Sequence, residues 1–265
     1  MVDYAAVATE FRAGRVITRS FSTFFRNILP FGLLALVVTS PTYVYMLLTE
    51  SESMGGPVDP MDFSTSSFVE PLVMYFVNML LGVLLTAALV YGTIKDLRND
   101  RASVGECFSK GLSLMLPVLG VAIVSTLLTW LAFLALILPG VYVAILLWVT
   151  IPVAVMERRG LGSLSRSAEL TKGYRWRMLF LFLLLIVVAI GISLLIGAVA
   201  ASVTLGAMNS SGEFSPASMA GLVAMQWFFS AFLSALMAVI AAVSYHDLRV
   251  AKEGADTSQI AAVFD

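Results

Sequence analysis

Six long runs of apolar residues constrain this chain more than any other feature of its sequence. A helix needs about 20 apolar residues to cross a hydrocarbon core of about 30 Å, because lipid leaves no water to pair with the backbone. Hydrophobic residues make up 59% of the sequence and charged residues 12%, which excludes a soluble globular domain. The predicted spans cover residues 28–48, 72–94, 115–137, 141–156, 178–203 and 218–245.

The third and fourth predicted spans are separated only by Leu138-Pro139-Gly140. Proline and glycine together favour a tight hairpin at this point. A single crossing would be about twice the length that a bilayer requires, which tilting cannot absorb. We therefore predict an all-α, polytopic bundle of six transmembrane helices that forms one membrane domain over residues 1–265.

Basic residues occupy only one side of this predicted topology. All 16 lysines and arginines lie before span one, between spans two and three, between spans four and five, or after span six. The segment 49–71 is acidic, contains glycine and proline, and is predicted to be an external loop. Because cytoplasmic loops hold the basic excess, both termini are predicted to be cytoplasmic.

Three segments next to the spans combine basic residues with apolar residues at helical spacing, at about 10–27, 103–114 and 161–177. This pattern predicts interfacial amphipathic helices, with the apolar face in the acyl boundary and the basic side chains at lipid phosphates. A capping-box pattern, Ser103-x-x-Glu106, marks the start of the second helix. A solvated arginine-rich face is the alternative. The predicted lipid- or partner-binding residues are Arg12, Arg15, Arg19, Arg26, Lys110, Arg158, Arg159, Arg166, Lys172, Arg175 and Arg177.

Short matching motifs predict an internal repeat of three units, each an interfacial helix followed by a transmembrane hairpin. Phe21-Ser22 through Leu29-Pro30 matches Phe108-Ser109 through Leu116-Pro117 in spacing, and Lys95-Asp96-Leu97-Arg98 matches His246-Asp247-Leu248-Arg249. Small residues form stripes along spans five and six and predict that these two helices pack against each other, with homodimerisation as the alternative. The stripes are Ser193, Gly197 and Ala201 on span five and Ala231, Ala235, Ala238 and Ala242 on span six.

The sequence offers no residues for metal binding or for nucleophilic catalysis, since it has one histidine and one cysteine. We therefore expect no catalytic residues, no metal and no cofactor. His246 precedes Asp247, but adjacent helical residues point about 100° apart, so no oriented acid–base pair is expected. Nucleic acid is not an expected partner, because the basic surface faces lipid.

The strongest polar residues within the spans are Asn78 and Gln226, each about eight residues below the outer surface. Their common depth allows a hydrogen bond between them that holds the helices together. A polar spot on a substrate path is the functional alternative.

Several motifs together resemble the bacterial glycerophosphodiester phosphodiesterase membrane-domain-like family. They are Leu138-Pro139-Gly140, Met156-Glu157-Arg158-Arg159-Gly160, Leu170-Thr171-Lys172-Gly173 and Tyr245-His246-Asp247-Leu248-Arg249. The resemblance implies a six-span protein of the bacterial inner membrane. The catalytic phosphodiesterase domain of some relatives is not expected here, because it needs histidines and metal-binding carboxylates.

Three functions follow from these features, in decreasing order of support. The first is a non-enzymatic module or accessory subunit that binds anionic lipid head groups, a membrane-protein partner or a second copy of itself. The alternative is a transporter or permease for a small molecule or a lipid. An enzyme acting on lipid head groups comes last, since only the acidic loop or Glu157 could contribute to its site.

Overall fold

The computed structural model of the protein describes residues 11–53, 65–100, 102–211 and 216–254. Within these ranges the chain is helical and contains no β-strand. The helices are α1 (Ala13–Arg26), α2 (Ile28–Ser53), α3 (Thr65–Leu97), α4 (Val104–Ala135), α5 (Ile137–Leu146), α6 (Thr150–Glu157), α7 (Gly162–Thr171), α8 (Arg175–Ser211) and α9 (Pro216–Glu253).

Six segments of the described chain are long and apolar enough to cross a membrane, which confirms the prediction of a multi-pass helical protein. They are Ile28–Thr49, Val69–Leu97, Val104–Ala135, Ile137–Glu157, Arg175–Val203 and Ala220–Glu253. The predicted external loop 49–71 lies partly outside the described residues. Its described ends are helical, because α2 runs to Ser53 and α3 begins at Thr65.

The break between the third and fourth spans lies at Leu136, whose backbone is extended, and not at the Pro139-Gly140 dipeptide. Pro139 is in the first turn of α5, where its missing N–H costs no helical hydrogen bond. The fourth span is itself split into α5 and α6. Ser167 Oγ of α7 donates a hydrogen bond of 2.6 Å to the Leu146 carbonyl at this break. A side chain thus satisfies a carbonyl that a continuous helix would have used.

The apolar face of α1 packs against protein, which corrects the prediction that it enters the acyl boundary. Val16 and Phe24 are fully buried, and the Phe24 ring lies edge-on to Phe232 of α9 with centroids 4.7 Å apart. Ser20 and Thr23 on the same face are buried too. The helix is therefore an integral part of the bundle, and the apolar stripe along it reflects burial in the protein core.

The other two predicted interfacial segments also differ in the structure. Residues 104–114 are the first turns of α4 and continue into the third span without a break. The segment 161–177 is divided, because α7 ends at Thr171 and α8 begins at Arg175. Gly173 at this junction has a φ of +92°, a conformation that glycine adopts without the steric cost of a Cβ. Arg175 and Arg177 therefore belong to the start of the fifth span.

The core is formed mainly by α1, α2, α3, α4, α6 and α9, whereas α8 contributes only residues near its start and is otherwise peripheral. Half of the most apolar stretch of Ala220–Glu253 is buried inside the protein, against 11% of that of Arg175–Val203. Ala235 and Ala242 of α9 are fully buried, and α9 packs mainly on α1, α2 and α3. Gly197 and Ala201 of α8 are exposed. The predicted close packing of spans five and six is therefore wrong.

The close approach between α3 and α4 depends on Gly111. A Cβ added there would lie 2.8 Å from Ala88 Cβ and 3.0 Å from the Leu84 carbonyl oxygen. We expect Gly111→Ala to destabilise the protein by about 1–3 kcal/mol, because a backbone neighbour cannot move aside. Thermal unfolding in detergent measures the effect.

Gly120→Ala on the same helix is the matched control. No atom lies within 4 Å of a Cβ added at Gly120, so this variant should unfold at the same temperature as the parent or higher, since alanine is the better helix former. Equal destabilisation by the two substitutions would contradict the proposed contact.

Candidate functional site

Helix α1 is fixed to the ends of two spans by ion pairs. Arg19 Nη1 donates to Asp247 Oδ1 at 3.0 Å, and Arg26 Nη2 donates to Asp96 Oδ2. Both carboxylates are buried, each residue being 8% exposed. Asp96 and Asp247 occupy the same position in the two matching motifs of the predicted repeat, so the motifs supply equivalent anchors for one helix.

A second ionic contact joins α3 to the start of α4. Glu106 accepts hydrogen bonds from Lys95 Nζ at 2.9 Å and from the Tyr91 hydroxyl at 2.7 Å. The Glu106 backbone N–H donates to Ser103 Oγ, as expected for an N-cap. The Glu106 carboxylate therefore faces α3 and links two helices.

Glu157 is the centre of a third cluster, at the end of α6. Its side chain is 10% exposed and contacts Arg159 at 2.9 Å and Arg166 at 3.3 Å. The Tyr245 hydroxyl donates to Glu157 Oε1 at 3.1 Å, and Arg166 also pairs with Glu253. Burial acts to lower the pKa of Arg166, but its contacts with Glu253 and Glu157 outweigh burial and raise that pKa above the ordinary value. The Glu157 carboxylate therefore joins the end of α6 to α7 and α9.

The side chains of His246 and Asp247 lie closer together than the helical periodicity suggested. His246 Nδ1 is 3.3 Å from Asp247 Oδ1, and both residues are buried. The same oxygen accepts the Arg19 hydrogen bond. The pair thus exists, but its carboxylate also serves as an anchor for α1.

A cavity of about 500 Å³ lies between α1 and the end of α3. Its polar lining comprises Arg15, Thr18, Arg19, Ser22, Thr23, Arg26, Asp96 and Asn99. The guanidinium groups of Arg19 and Arg26 are paired with carboxylates. The attraction of this cavity for an anion is correspondingly reduced.

The side chain of Arg175 contacts a tyrosine and no described carboxylate. Its Nη1 donates a hydrogen bond of 2.6 Å to the Tyr142 hydroxyl, and its guanidinium carbon lies 5.1 Å from the centroid of the Tyr142 ring. No carboxylate of the described residues pairs with it, and its buried Nε has no hydrogen-bond partner among them. The guanidinium borders an apolar cavity of about 480 Å³ lined by Leu138, Val141, Ile145, Trp176 and Leu179. We call this cavity the Arg175 slot.

The remaining predicted basic residues are spread around the same side of the protein. Arg177 Nη1 donates to the Phe11 carbonyl at 2.8 Å, and Arg12 is exposed beside the start of α1. Lys110, Arg158 and Lys172 are exposed and form no ion pair within the described part of the chain. The structure thus separates the predicted set into paired, tethered and exposed side chains.

Asn78 and Gln226 do not form the expected pair. Asn78 Oδ1 accepts a hydrogen bond from Thr42 Oγ1 at 2.9 Å, and Asn78 Nδ2 donates to the Met74 carbonyl. The neighbour of Gln226, Trp227, turns inward instead and donates from Nε1 to Thr39 Oγ1 at 2.9 Å. Asn78 and Trp227 line a central cavity of about 730 Å³, whereas Gln226 does not.

Sequence reasoning missed the acidic partners of the basic side chains. Asp96, Asp247 and Glu253 lie on the same predicted cytoplasmic side as the arginines, but charge counting treats each loop as a total and does not pair individual groups. The tyrosine that holds Arg175 was also missed, because Tyr142 precedes it by 33 residues. No group of three or more potential metal ligands occurs among the described residues.

Comparison with protein-family models, with curated proteins and with solved structures gave no match to this chain.

The clustered contacts of Glu157 predict a stabilising role. We expect Glu157→Gln to lower the free energy of unfolding by about 2 kcal/mol, because Arg166, whose side chain is 17% exposed, loses an anionic partner that it shares with the exposed Arg159. Thermal unfolding of the purified protein in detergent gives the value.

The control is Glu169→Gln, which removes an acid whose side chain is 67% exposed and 3.7 Å from Arg166. Its effect should stay within about 0.5 kcal/mol. If both variants unfold alike, the Glu157 cluster does not stabilise the fold.

Proposed function

We propose that this protein is a non-enzymatic membrane module that binds anionic lipid in the Arg175 slot. We further propose that it resides in a bacterial inner membrane with both termini in the cytoplasm, as the distribution of basic residues favours. The observation that carries the proposal is an arginine that has no acidic partner among the described residues and lies at the side of an apolar cavity.

Arg175 differs from its neighbours in its electrostatic surroundings. Arg19, Arg26 and Arg166 have carboxylate partners, so an incoming phosphate would have to compete with these anions. No described carboxylate compensates the Arg175 guanidinium, and the Tyr142 ring and hydroxyl fix its orientation. A planar guanidinium that is oriented in advance suits bidentate recognition of phosphate.

The walls of the slot supply an apolar surface. Leu138, Val141, Ile145 and Leu179 offer hydrocarbon next to the guanidinium. The volume of the slot, about 480 Å³, falls within the range of small-ligand sites. A positive guanidinium beside an apolar cavity suits a ligand that has both an anionic head and a hydrocarbon chain better than it suits a free anion.

Arg175→Gln is expected to reduce the retention of phosphatidylglycerol. Loss of a charge-assisted hydrogen bond costs about 1.5–3 kcal/mol, which corresponds to a roughly 10- to 100-fold weaker affinity. Native mass spectrometry of the detergent-extracted protein, titrated with phosphatidylglycerol, measures the lipid-bound fraction.

Lys110→Gln is the matched control, because it removes one exposed positive charge on α4, away from the residues that line the slot. It should leave the titration nearly unchanged. Equal losses of bound lipid in the two variants would indicate binding to a diffuse basic surface and not to the specific slot. No loss in either variant would refute lipid binding through these cations.

The orientation is tested by cysteine labelling in a Cys107→Ser background. Ser165→Cys on the exposed face of α7 should be protected from a membrane-impermeant maleimide in intact cells, whereas Glu70→Cys at an exposed position of α3 should react. Lysed cells show that both sites are reactive. The reverse pattern would place the termini outside.

A further inference from the structure

The central cavity differs in chemistry from the Arg175 slot. It has a volume of about 730 Å³, and its walls come from α2, α3, α4, α6, α8 and α9, together with residues of α5 and the break after it. This volume is typical of a site that encloses a small ligand. The cavity lies among the spans, since its lining includes residues from the middle parts of the predicted spans, namely Thr39, Asn78, Ser125 and Trp227.

The lining of the central cavity, as far as the described residues form it, carries no ionisable group. None of its residues is an aspartate, glutamate, lysine, arginine or histidine. A charged ligand would lose its hydration without gaining a counter-charge, at a large cost. An uncharged occupant suits this lining.

Several hydroxyls of the lining retain acceptor capacity for a ligand, and the buried Trp148 Nε1 is a donor without a partner among the described residues. Thr86 Oγ1 donates to the Gly82 carbonyl at 2.7 Å, Thr129 Oγ1 to the Ser125 carbonyl at 2.8 Å, and Ser230 Oγ to the Trp227 carbonyl at 3.0 Å. Each hydroxyl donates its one hydrogen to its own helix and keeps lone pairs for a ligand. Donor groups on the ligand, such as hydroxyls, fit this pattern.

Apolar and aromatic side chains supply the rest of the wall. Trp130, Trp148, Met79 and Leu85 line the cavity, and Trp227 is stacked on Tyr43 with ring centroids 4.6 Å apart. Hydrocarbon next to a row of acceptors matches an amphiphile with a hydroxylated head. We propose that the central cavity binds an uncharged lipid alcohol of the monoacylglycerol class. This site is independent of the Arg175 slot.

Gly82 offers a way to fill the cavity. It lines the cavity, is exposed there, and no atom lies within 4 Å of a Cβ added to it. Gly82→Leu therefore places four carbon atoms in the space of the ligand. Gly191→Leu on α8 is the matched control, since Gly191 is also open but lies outside the cavity lining.

The test uses the full-length protein in phosphatidylethanolamine vesicles and two photoreactive probes with the same acyl chain. One is a monoacylglycerol, and the other is its phosphate ester, a lysophosphatidic acid. Mass spectrometry maps the labelled peptides. We expect the neutral probe to label α3, α4 and α9 at the cavity, and Gly82→Leu to reduce that labelling roughly tenfold, while Gly191→Leu leaves it unchanged.

Three outcomes would overturn the proposal: equal labelling of the Gly82→Leu variant and the parent, equal labelling of the cavity by the phosphate ester, or labelling of outward-facing residues such as Leu194 alone. A thermal unfolding curve checks that Gly82→Leu is folded. If it is not, Asn78→Leu takes its place: this variant keeps four heavy atoms in the side chain, removes the amide from the cavity lining, and should also reduce labelling by the neutral probe. Arg175→Gln should not change labelling by the neutral probe, so the two lipid sites succeed or fail separately.

Discussion

The pairing of α1 with two buried carboxylates is the interaction on which the basic end of the helical bundle depends. Asp96 and Asp247 lie near the ends of α3 and α9, and each would be costly to bury without a cation. The arginines of α1 meet this need from one helix, whose other face is buried in the core through Val16 and Phe24. One amphipathic helix thus ties the first span to the second and the sixth.

Because of this pairing, the number of basic residues overstates the positive charge that is available to an anionic ligand. A count of charges describes a strongly positive surface that would attract any anionic membrane. The folded chain neutralises much of that charge internally, through Asp96, Asp247, Glu157 and Glu253. Arg175 combines a charge that no described carboxylate compensates with an adjoining apolar cavity. The proposed lipid specificity follows from this selective neutralisation and not from the total charge.

The two cavities divide the proposed ligands by charge. The Arg175 slot presents a guanidinium fixed by Tyr142, whereas the described lining of the central cavity presents hydroxyl acceptors and tryptophans without any ionisable group. An anion loses its hydration in either cavity. The Arg175 guanidinium compensates that loss in the slot, whereas no charged group does so in the described lining of the central cavity. A protein with both sites would contact the charged and uncharged forms of related lipids separately.

The apolar runs alone predict the number of spans and the positions of most of them, because the hydrocarbon thickness and the need to pair every backbone group leave few alternatives to apolar helices. The sequence also identified Ser103 as a helix cap, since capping depends on neighbours within one turn. The break at Leu136, the split of the fourth span and the burial of α1 were decided by tertiary packing. So were the partners of Arg19 and Arg175, which lie 228 and 33 residues away in the chain. Periodicity shows that a helix has an apolar face, but lipid and protein interior are equally apolar, and only the packed structure distinguishes them.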